Sequence, residues 1–400
     1  MAQRHSVTII GGGVIGLTTS FALWRAGHEV TLVEKQARIA SGASRANGGQ
    51  LSYRYVAPLA SPSAPFEALS WLGRSGSPVA LHPNADLHQW GWMARFLRSC
   101  TEARFRAASS ALLTLALESQ RELATWRDQG LSGFDWRQPG KLILYRHHAS
   151  FAKAAKGLSD RQSQRLLTPA ECAMIEPAFA ALAPELAGGL FTDSEEVADC
   201  HAFCLKLRDA MQGHERFRLL HGSAALERSG TRCLVRLNGV PLPSNRVILA
   251  AGLASRELAR PLGVGLPLYP LRGYSLTVTP PASSLPEVSV TDYDRRVVYA
   301  RHGARLRIAA MVDIGKSGAR GDERRLAQLR RLAQQTLPEA GPYDRAEAWA
   351  GERPATPDSV PIIERGPCDN LLFNVGHGAL GFTLAPGSAR RILSLVGETM

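Results

Sequence analysis

The chain opens with two short apolar runs separated by a glycine-rich turn and an apolar segment of helical length. Residues 7–10 form the first apolar run, and a turn with four glycines spans residues 11–16. Residues 17–24 continue as a largely apolar segment, and residues 30–33 form a second apolar run that ends at Glu34. Short apolar runs bounded by turns are typical of buried strands. This order therefore predicts a β-α-β unit with parallel strands.

The spacing of the glycines indicates what this unit binds. Gly11 permits a tight turn out of the strand, Gly13 lets the backbone approach a pyrophosphate, and Gly16 lets the helix lie close to the strand. The N-terminus of the helix presents free N–H groups to phosphates, and Glu34 can accept hydrogen bonds from a ribose diol. A plain β-α-β turn is the alternative. The strand, helix and acidic residue all fall where a dinucleotide site needs them, which favours the site.

Three further stretches of small residues predict loops that lie against a ligand. Residues 40–50 are small, polar and rich in glycine, and they follow the first β-α-β unit directly. Residues 246–252 form an apolar strand that ends in a small-residue turn, where the backbone can approach a cofactor. Residues 371–383 form a strand and a second glycine loop that opens the last helix, whose N-terminus favours negative charge. A solvated linker and ordinary packing are the alternatives for the first two stretches.

The middle of the chain predicts helices, a β-hairpin and an antiparallel sheet. Residues 87–126 have apolar positions at helical spacing, and residues 141–145 form a probable strand. Asn238-Gly239 predicts the turn of a β-hairpin. Residues 266–312 contain several strand-like runs without intervening helices, which favours an antiparallel sheet.

Composition narrows the class of protein. A chain of 400 residues is longer than a single ordinary core requires, so we expect two domains. The net charge of +12 is compatible with nucleic-acid or acidic-membrane binding, but 41 of the 47 basic residues are arginines scattered along the chain (47 minus six lysines). We therefore expect no nucleic-acid partner. The aromatic, basic stretch near Trp90 is compatible with peripheral membrane contact or with packing on its own domain.

Cysteine spacing and hydropathy add expectations about metals and location. Cys200 and Cys204 flank His201, but this spacing lacks the further ligands of a zinc site, so we expect no metal. Reduced, buried thiols are consistent with the cytoplasm. The first apolar segment is the glycine loop itself rather than a signal peptide, and no uninterrupted apolar run of about 20 residues occurs. We expect a cytoplasmic protein, with peripheral contact at the cytoplasmic face of the inner membrane left open.

Six segments in this order resemble one enzyme family over residues 7–395. They are the first glycine loop, residues 44–50, residues 250–252, Tyr269-Pro270-Leu271-Arg272-Gly273-Tyr274, residues 351–358 and residues 376–383. The chain is similar to the D-amino-acid dehydrogenases within the glycine oxidase and D-amino-acid oxidase group of flavoproteins. Asn47-Gly48-Gly49-Gln50-Leu51-Ser52 and Gly376-His377-Gly378-Ala379-Leu380-Gly381 point to the dehydrogenase branch.

The resemblance implies a fold, domain boundaries and a non-covalently bound FAD. The fold class is α/β, with a doubly wound, discontinuous FAD-binding domain and a second α+β substrate domain built on an antiparallel sheet. We expect the FAD-binding domain at residues 1–85, 165–263 and 343–400, and the substrate domain at residues 86–164 and 264–342. The implied FAD-binding residues are Gly11, Gly13, Val14, Ile15, Gly16, Glu34, Lys35, Ser41, Ser44, Asn47, Gly48, Gly49, Gln50, Leu51, Ala224, Ala250, Ala251, Gly252, Arg353, Gly378, Leu380, Gly381, Phe382 and Thr383.

The resemblance also implies a reaction and four catalytic candidates. A D-amino acid would lose a hydride from Cα to flavin N5, and the imino acid would hydrolyse to a 2-oxo acid and ammonia. Arg353, in a Gly-x-Arg-Pro segment, resembles the clamp for the substrate carboxylate, and arginine offers the planar bidentate donor that this role needs. Tyr299 resembles a second carboxylate ligand. Tyr53 as a pocket wall is a weaker candidate, since ordinary packing explains it equally well. For His377 a structural role is favoured somewhat over that of a base.

Several alternatives stay open at this level. The dehydrogenase branch passes its electrons to a quinone, whereas a true oxidase of the same fold uses oxygen. A D-hydroxyproline or D-proline dehydrogenase differs only in pocket shape. A non-catalytic nucleotide-binding module is the alternative from another class, and an NAD enzyme is disfavoured by the second glycine loop. The sequence does not indicate the oligomeric state.

Overall fold

The computed structural model describes residues 4–71, 76–158, 161–315 and 318–397. The described helices are α1 Val14–Arg25, α2 Ala64–Trp71, α3 Leu87–Ser99, α4 Glu102–Asp128, α5 His148–Gly157, α6 Pro169–Ile175, α7 Cys200–Met211, α8 Ala254–Ala259, α9 Gly318–Thr336 and α10 Gly381–Gly397. The described strands are β1 Ser6–Ile10, β2 Glu29–Glu34, β3 Gln50–Leu51, β4 Val79–Leu81, β5 Lys141–Tyr145, β6 Gln164–Leu167, β7 Gly188–Thr192, β8 Glu196–Val197, β9 Phe217–His221, β10 Ala224–Ser229, β11 Arg232–Leu237, β12 Val240–Leu242, β13 Arg246–Leu249, β14 Tyr269–Val278, β15 Ser289–Asp292, β16 Val297–His302, β17 Arg305–Ile314, β18 Glu347–Ala355, β19 Ile362–Arg365 and β20 Leu371–Val375.

The first sheet contains the predicted β-α-β unit. Among the described strands its order is β19-β20-β13-β1-β2-β9, with every neighbouring pair parallel except β19 with β20. Successive residues of a strand point to opposite faces, so Ile9 and Ile248 pack into one core with helices α1, α7 and α10, while Ile10 and Leu249 pack into another. That second core lies under the small antiparallel sheet β10-β11-β12 and helix α8. The predicted α/β fold class is confirmed.

The second sheet is mostly antiparallel. The described strands follow the order β18-β14-β17-β16-β15-β5-β7-β6, with β4 added beside β17. The predicted strands near Tyr274, Val298 and Ile308 lie in β14, β16 and β17. Two pairings, β15 with β5 and β17 with β4, are parallel. These pairs join segments far apart in the chain, so no hairpin imposes the antiparallel direction. The expected antiparallel sheet is present, with these two parallel pairings within it.

The domain boundaries remain a proposal, which the sheets help to refine. Strands β6, β7 and β18 pair within the second sheet, although the expected boundaries place nearly all of these residues in the FAD-binding domain. Conversely, helix α4, which the expected boundaries place in the substrate domain, packs on α10 of the FAD-binding domain. Ser119 Oγ of α4 accepts a hydrogen bond from the Gly387 N–H at 2.8 Å, and Glu118 forms an ion pair with Arg391. We propose that residues 164–192 and 347–355 belong with the substrate domain and most of α4 with the FAD-binding domain.

Candidate active site and cofactor cavity

A cavity of about 2020 Å³ lies between the two large sheets and collects most of the predicted site residues. Its lining includes Arg353, His377 and all of the residues expected to bind FAD except Gly16 and Leu51. Segments that are far apart in sequence therefore meet around one space. The volume exceeds the roughly 300–1,000 Å³ of a typical small-molecule pocket, as a dinucleotide together with a substrate requires.

The glycine loop forms one end of the cavity. Gly11 has φ of +113°, and a Cβ atom added there would lie 2.5 Å from the Ala250 carbonyl oxygen. A Cβ at Gly16 would lie 1.8 Å from the Gly11 carbonyl oxygen, so Gly16 serves the close approach of α1 to β1 from below the cavity rather than lining it. Leu51 is likewise a buried core residue. Gly16 and Leu51 therefore do not line the cavity, and for Gly16 this agrees with the close helix–strand approach expected from the glycine spacing. Their expected part in FAD binding stays a prediction.

The first turn of α1 is open to an anion. Its N-cap residue, Gly13, has no side chain to occupy the free N–H groups, and a Cβ there would meet only Ser44 Oγ, at 3.5 Å. The Ser44 hydroxyl accepts a hydrogen bond from the Val14 N–H at 3.0 Å. An uncapped helix N-terminus attracts negative charge through its dipole. The geometry fits a pyrophosphate.

Glu34 ends β2 with its carboxylate on the cavity wall. It accepts hydrogen bonds from the Gly12 N–H at 2.6 Å and the Gln36 N–H at 2.7 Å. These two bonds hold the side chain beside the glycine loop. A carboxylate in this position is suited to a ribose diol.

Residues 46–52, here called the crossing segment, run across several strands of the second sheet. They contact β14, β17, β16, β15 and β5 in their spatial order. Four of these contacts are hydrogen bonds: Ser275 Oγ to the Ala46 carbonyl at 2.8 Å, Arg307 Nη1 to the Asn47 carbonyl at 3.1 Å, Gln50 Nε2 to the Val290 carbonyl at 3.1 Å, and Lys141 Nζ to Ser52 Oγ at 2.7 Å. The fifth is a close approach: a Cβ atom added at Gly48 would lie 3.1 Å from Val298 Cγ2. The segment is thus fixed along its length, and residues 46–50 and Ser52 line the cavity.

The second glycine turn closes the cavity from the C-terminal side. Gly376 has φ of +84° and Gly378 has φ of +54°, and α10 begins at Gly381. The Thr383 hydroxyl donates to the Gln50 carbonyl at 3.4 Å, which joins α10 to the crossing segment. Two glycine turns and two helix N-termini around one elongated cavity fit a flavin dinucleotide.

Arg353 lies on β18, opposite Leu271 of β14, and lines the cavity. Its Nη1 donates to the Met311 carbonyl at 3.4 Å, and Met311 adopts a left-handed backbone with φ of 68° that presents this carbonyl. No ion pair among the described residues includes Arg353, and its burial lowers the pKa of the guanidinium. Removing a charge from water without a partner is costly. The guanidinium is therefore poised for an anionic ligand.

Gly273 makes room for this guanidinium. A Cβ atom at Gly273 would lie 2.1 Å from Arg353 Nη2. We expect Gly273→Ala to displace the end of the Arg353 side chain and to raise the KM for a carboxylate substrate by about tenfold, equivalent to about 1.4 kcal/mol, with kcat less affected. Steady-state kinetics check this. Gly265→Ala, where the added Cβ meets nothing within 4 Å, is the matched control, and equal KM values for the two variants would contradict the assignment.

His377 lines the cavity but is held as a neutral side chain. Its Nε2 bonds to Ser388 Oγ at 2.9 Å, and that hydroxyl donates to the Leu384 carbonyl, so Nε2 carries the proton. Burial lowers the pKa of His377 to about 3. A histidine with this pKa takes up no second proton at neutral pH and is a weak general base. The geometry therefore favours a structural role for His377 over the base expected as an alternative.

We expect His377→Asn to leave the shape of the kcat/KM profile between about pH 5 and pH 9 unchanged. The lowered pKa keeps the imidazole neutral throughout this window, so no charge is gained or lost there. The variant loses one buried hydrogen bond, which costs about 1–3 kcal/mol of folding free energy. Thermal unfolding and a pH series of kinetics measure both effects. A pH limb present in the wild type and missing from the variant would restore His377 as a base.

Two tyrosines lie away from the cavity, contrary to expectation. Tyr299 is completely buried and packs edge-on against Phe179 in the core of the second sheet, while its neighbour Val298 lines the cavity. Alternate residues of a strand face opposite sides, so Tyr299 points away, and its expected bond to the substrate carboxylate is wrong. Tyr53 is also buried, with its hydroxyl donating to Glu196 at 2.9 Å. It supports the wall rather than closing the pocket.

Several cavity residues were not expected from the sequence. They are Lys141, Tyr55, Tyr145, Tyr293 and Arg296, together with Trp349. The signal available for Lys141 was a lysine inside an apolar strand, in a chain with only six lysines. Tyr145 lies on β5 and Tyr293 directly follows β15, and the pairing of these two strands brings both residues to the cavity. Trp349 reaches the cavity on β18, which pairs with β14. Cys200 and Cys204 are buried on α7, and the part of the chain that is described contains no cluster of metal-binding side chains.

Comparison with known proteins agrees with this geometry. Residues 6–395 match the DAO family, described as FAD dependent oxidoreductase. The chain is 50% identical over 403 residues to D-amino acid dehydrogenase 2 of Pseudomonas aeruginosa, covering 100% of this chain and 96% of that protein. It is 38% identical over 409 residues to D-amino acid dehydrogenase 2 of Ralstonia nicotianae, covering 98% of this chain and 96% of that protein.

A solved structure supports the fold independently. Glycine oxidase from Geobacillus kaustophilus superposes with a TM-score of 0.75 at 21% identity, covering 99% of this chain and 96% of that one. At this identity the likeness concerns the fold alone. The match over nearly the whole sequence and the cavity built from two glycine turns lead to one assignment: the chain belongs to the DAO family of FAD-dependent oxidoreductases.

Proposed function

We propose that this protein oxidises D-amino acids to 2-oxo acids and ammonia with FAD as its cofactor. The observation that carries the proposal is the Arg353 guanidinium, which lines the cavity without an acidic partner among the described residues. Such a cation suits a substrate carboxylate, which it can bind through two parallel hydrogen bonds. The names of the two bacterial relatives, both D-amino acid dehydrogenases, support the choice of substrate.

The protein groups in this mechanism bind and orient rather than transfer protons. When bound, FAD supplies the acceptor for the hydride that leaves the substrate Cα, as flavins do. Arg353 holds the carboxylate, which orients the Cα–H bond. Burial lowers the pKa of His377 and makes it a weak base, so the proposal has the amino group arrive unprotonated. The imino acid then hydrolyses with water. The remaining roles expected for the cavity-lining residues stay predictions.

We further propose that the electrons pass to a quinone at a membrane surface. Trp92, Met93, Phe96 and Leu97 of α3 form an apolar part of the cavity wall. On the same helix Leu87 is 85% exposed, Trp90 49% and Leu97 51%. Apolar side chains beside Arg95 and Arg98 are typical of a helix that contacts anionic lipid. Within the described ranges, no helix has the length and hydropathy needed to span a bilayer.

Anaerobic mixing tests the proposed reaction. Purified protein loaded with FAD is mixed with a panel of D- and L-amino acids that includes D-proline and D-hydroxyproline, and loss of the visible flavin absorbance is followed. We expect bleaching by D-amino acids and none by their L-enantiomers. Bleaching by D-proline alone would favour the proline-specific alternative, and bleaching by no D-amino acid would refute the proposal.

Reoxidation of the bleached enzyme tests the acceptor. We expect a water-soluble quinone to restore the flavin absorbance faster than air-saturated buffer does. Faster reoxidation by oxygen would instead identify an oxidase. Vesicles containing an anionic phospholipid, spun down with the protein, measure the membrane contact separately.

A further inference from the structure

Lys141 is a buried cation on the cavity wall to which the mechanism gives no role. It begins β5, is 3% exposed, and donates to Ser52 Oγ at 2.7 Å and Gln50 Oε1 at 3.0 Å. Its Nζ also lies 4.5 Å from the centre of the Tyr55 ring. All four of these residues line the cavity. Lys141 therefore lines the cavity beside the crossing segment, to which it is hydrogen-bonded.

The position of Lys141 places it far from the substrate clamp. Arg353 lies on β18 and Lys141 on β5, five strands apart in the sheet order. Both side chains nevertheless line the same cavity. With Arg353 assigned to the substrate carboxylate, Lys141 reaches the cavity from a different strand and is available to act on the cofactor.

Lys141 also anchors one end of the crossing segment. The segment is held by strands along its length, and its last two side chains in the cavity, Gln50 and Ser52, both accept hydrogen bonds from the same ammonium group. Gln50 is further fixed by the Thr291 hydroxyl at 3.3 Å. Loss of Lys141 would leave these acceptors without their shared donor.

Lys141 forms no direct ion pair among the described residues. Among the described residues, no carboxylate oxygen lies within 4.0 Å of its Nζ. The acid that acts on it most strongly, Glu195, is 1% exposed and is bound instead by the Arg54 N–H at 2.7 Å. Burial lowers the pKa of Lys141 to about 8, against the opposing effect of Glu195, and burial raises the pKa of Glu195 to about 7. Burying an ammonium group without a direct ion pair costs folding free energy. A function of Lys141 at the cavity would explain why the chain keeps it there.

We propose that Lys141 positions the Gln50–Ser52 end of the crossing segment for the flavin and supplies the cavity with a positive charge that favours the reduced flavin. On reduction the flavin takes up two electrons and one proton, so its charge becomes more negative by one. In a poorly solvated cavity a nearby cation stabilises the more negative form. The inference requires FAD, which the family match shows, and does not require that the substrate is a D-amino acid.

Three substitutions separate the charge of Lys141 from its hydrogen bonds. Lys141→Met removes both, Lys141→Gln keeps a donor without charge, and Lys141→Arg keeps the charge. The readouts are the midpoint potential, from a dithionite titration with a redox dye, and the dissociation constant of FAD for the apoprotein. Neither needs an amino-acid substrate.

We expect Lys141→Met and Lys141→Gln to weaken the preference for reduced over oxidised flavin by about tenfold, a fall of about 30 mV for a two-electron couple. Lys141→Arg should retain most of the wild-type potential. Lys141→Met alone should also weaken FAD binding by about tenfold, because Ser52 and Gln50 lose their donor. Unchanged potentials in both neutral variants would overturn the charge role, and unchanged FAD affinity in Lys141→Met would overturn the positioning role.

A matched control and a fallback variant keep this test decisive. Lys153→Met removes an exposed lysine of the same cavity, whose Nζ reaches Ser63 Oγ only at 3.5 Å, and should leave both readouts unchanged. If Lys141→Met does not fold, Lys141→Met combined with Glu195→Gln removes both buried charges, which is often tolerated where one alone is not. The double variant should still show the lower potential, and a wild-type value would refute the proposal.

Discussion

Replacing Arg353 by methionine is expected to raise the KM for a D-amino acid by about 10²–10³-fold or more. The substitution keeps an unbranched side chain and removes the cation that faces the cavity. A substrate carboxylate would then be buried without its partner, which costs about 3–5 kcal/mol. Steady-state kinetics with a D-amino acid and a quinone measure the effect, and an unchanged KM would show that Arg353 is not the clamp.

Two comparisons separate the clamp from a general electrostatic effect. Arg353→Lys keeps the charge but loses the planar pair of donors, so its KM should lie between those of the wild type and Arg353→Met. Arg272 also lines the cavity, but it is paired with Asp322 at 2.5 Å, and this contact raises the pKa of the guanidinium. Arg272→Met should disturb stability more than KM, because it removes the ion pair between Arg272 and the partly buried carboxylate of Asp322.

Replacing Gly13 by valine is expected to give a folded protein that contains no flavin. Gly13 has an extended backbone, with φ of −81° and ψ of −177°, which valine adopts without strain. Its Cβ would contact only Ser44 Oγ, at 3.5 Å, so the branched side chain points into the cavity. There it occupies the space in front of the α1 N-terminus that a pyrophosphate needs. Visible absorbance and circular dichroism of the purified protein measure the two parts of this result.

Gly16→Ala is the informative contrast to Gly13→Val. Its added Cβ would lie 1.8 Å from the Gly11 carbonyl oxygen, so the helix must move away from the strand. We expect this variant to lose thermal stability as well as flavin, whereas Gly13→Val loses flavin with its fold intact. A yellow, FAD-loaded Gly13→Val protein would contradict the placement of the phosphate site.

Local patterns predicted the first half of the site well. The glycines at positions 11, 13 and 16 and the acid at 34 act within one β-α-β unit, where spacing in sequence fixes spacing in the structure. The Asn238-Gly239 turn is similarly local, and it joins β11 to β12 as expected, with both residues at positive φ. Arg353 was placed on the cavity through its motif, and the structure puts it there.

The incorrect or missing predictions concerned residues whose positions depend on contacts between segments far apart in the chain. Tyr299 was expected in the pocket, but which face of β16 lines the cavity depends on how β16 pairs with β15 and β17. A shift of one position exchanges Val298 for Tyr299, and no local pattern separates the two. The parallel pairing of β5 with β15 joins residues about 150 positions apart in the sequence. This pairing places Lys141 at the cavity, and no sequence motif predicted that position.

The sequence by itself determined the β-α-β unit with its glycine loop and the Asn238-Gly239 hairpin turn, since each depends on residues close together in the chain. Only the tertiary structure decided which tyrosines face the cavity, how the crossing segment is held, and where a buried lysine adds its charge. Those properties depend on strand register and on contacts between segments far apart in sequence. Register is set by the packing of whole sheets, and a short stretch of sequence does not contain that information.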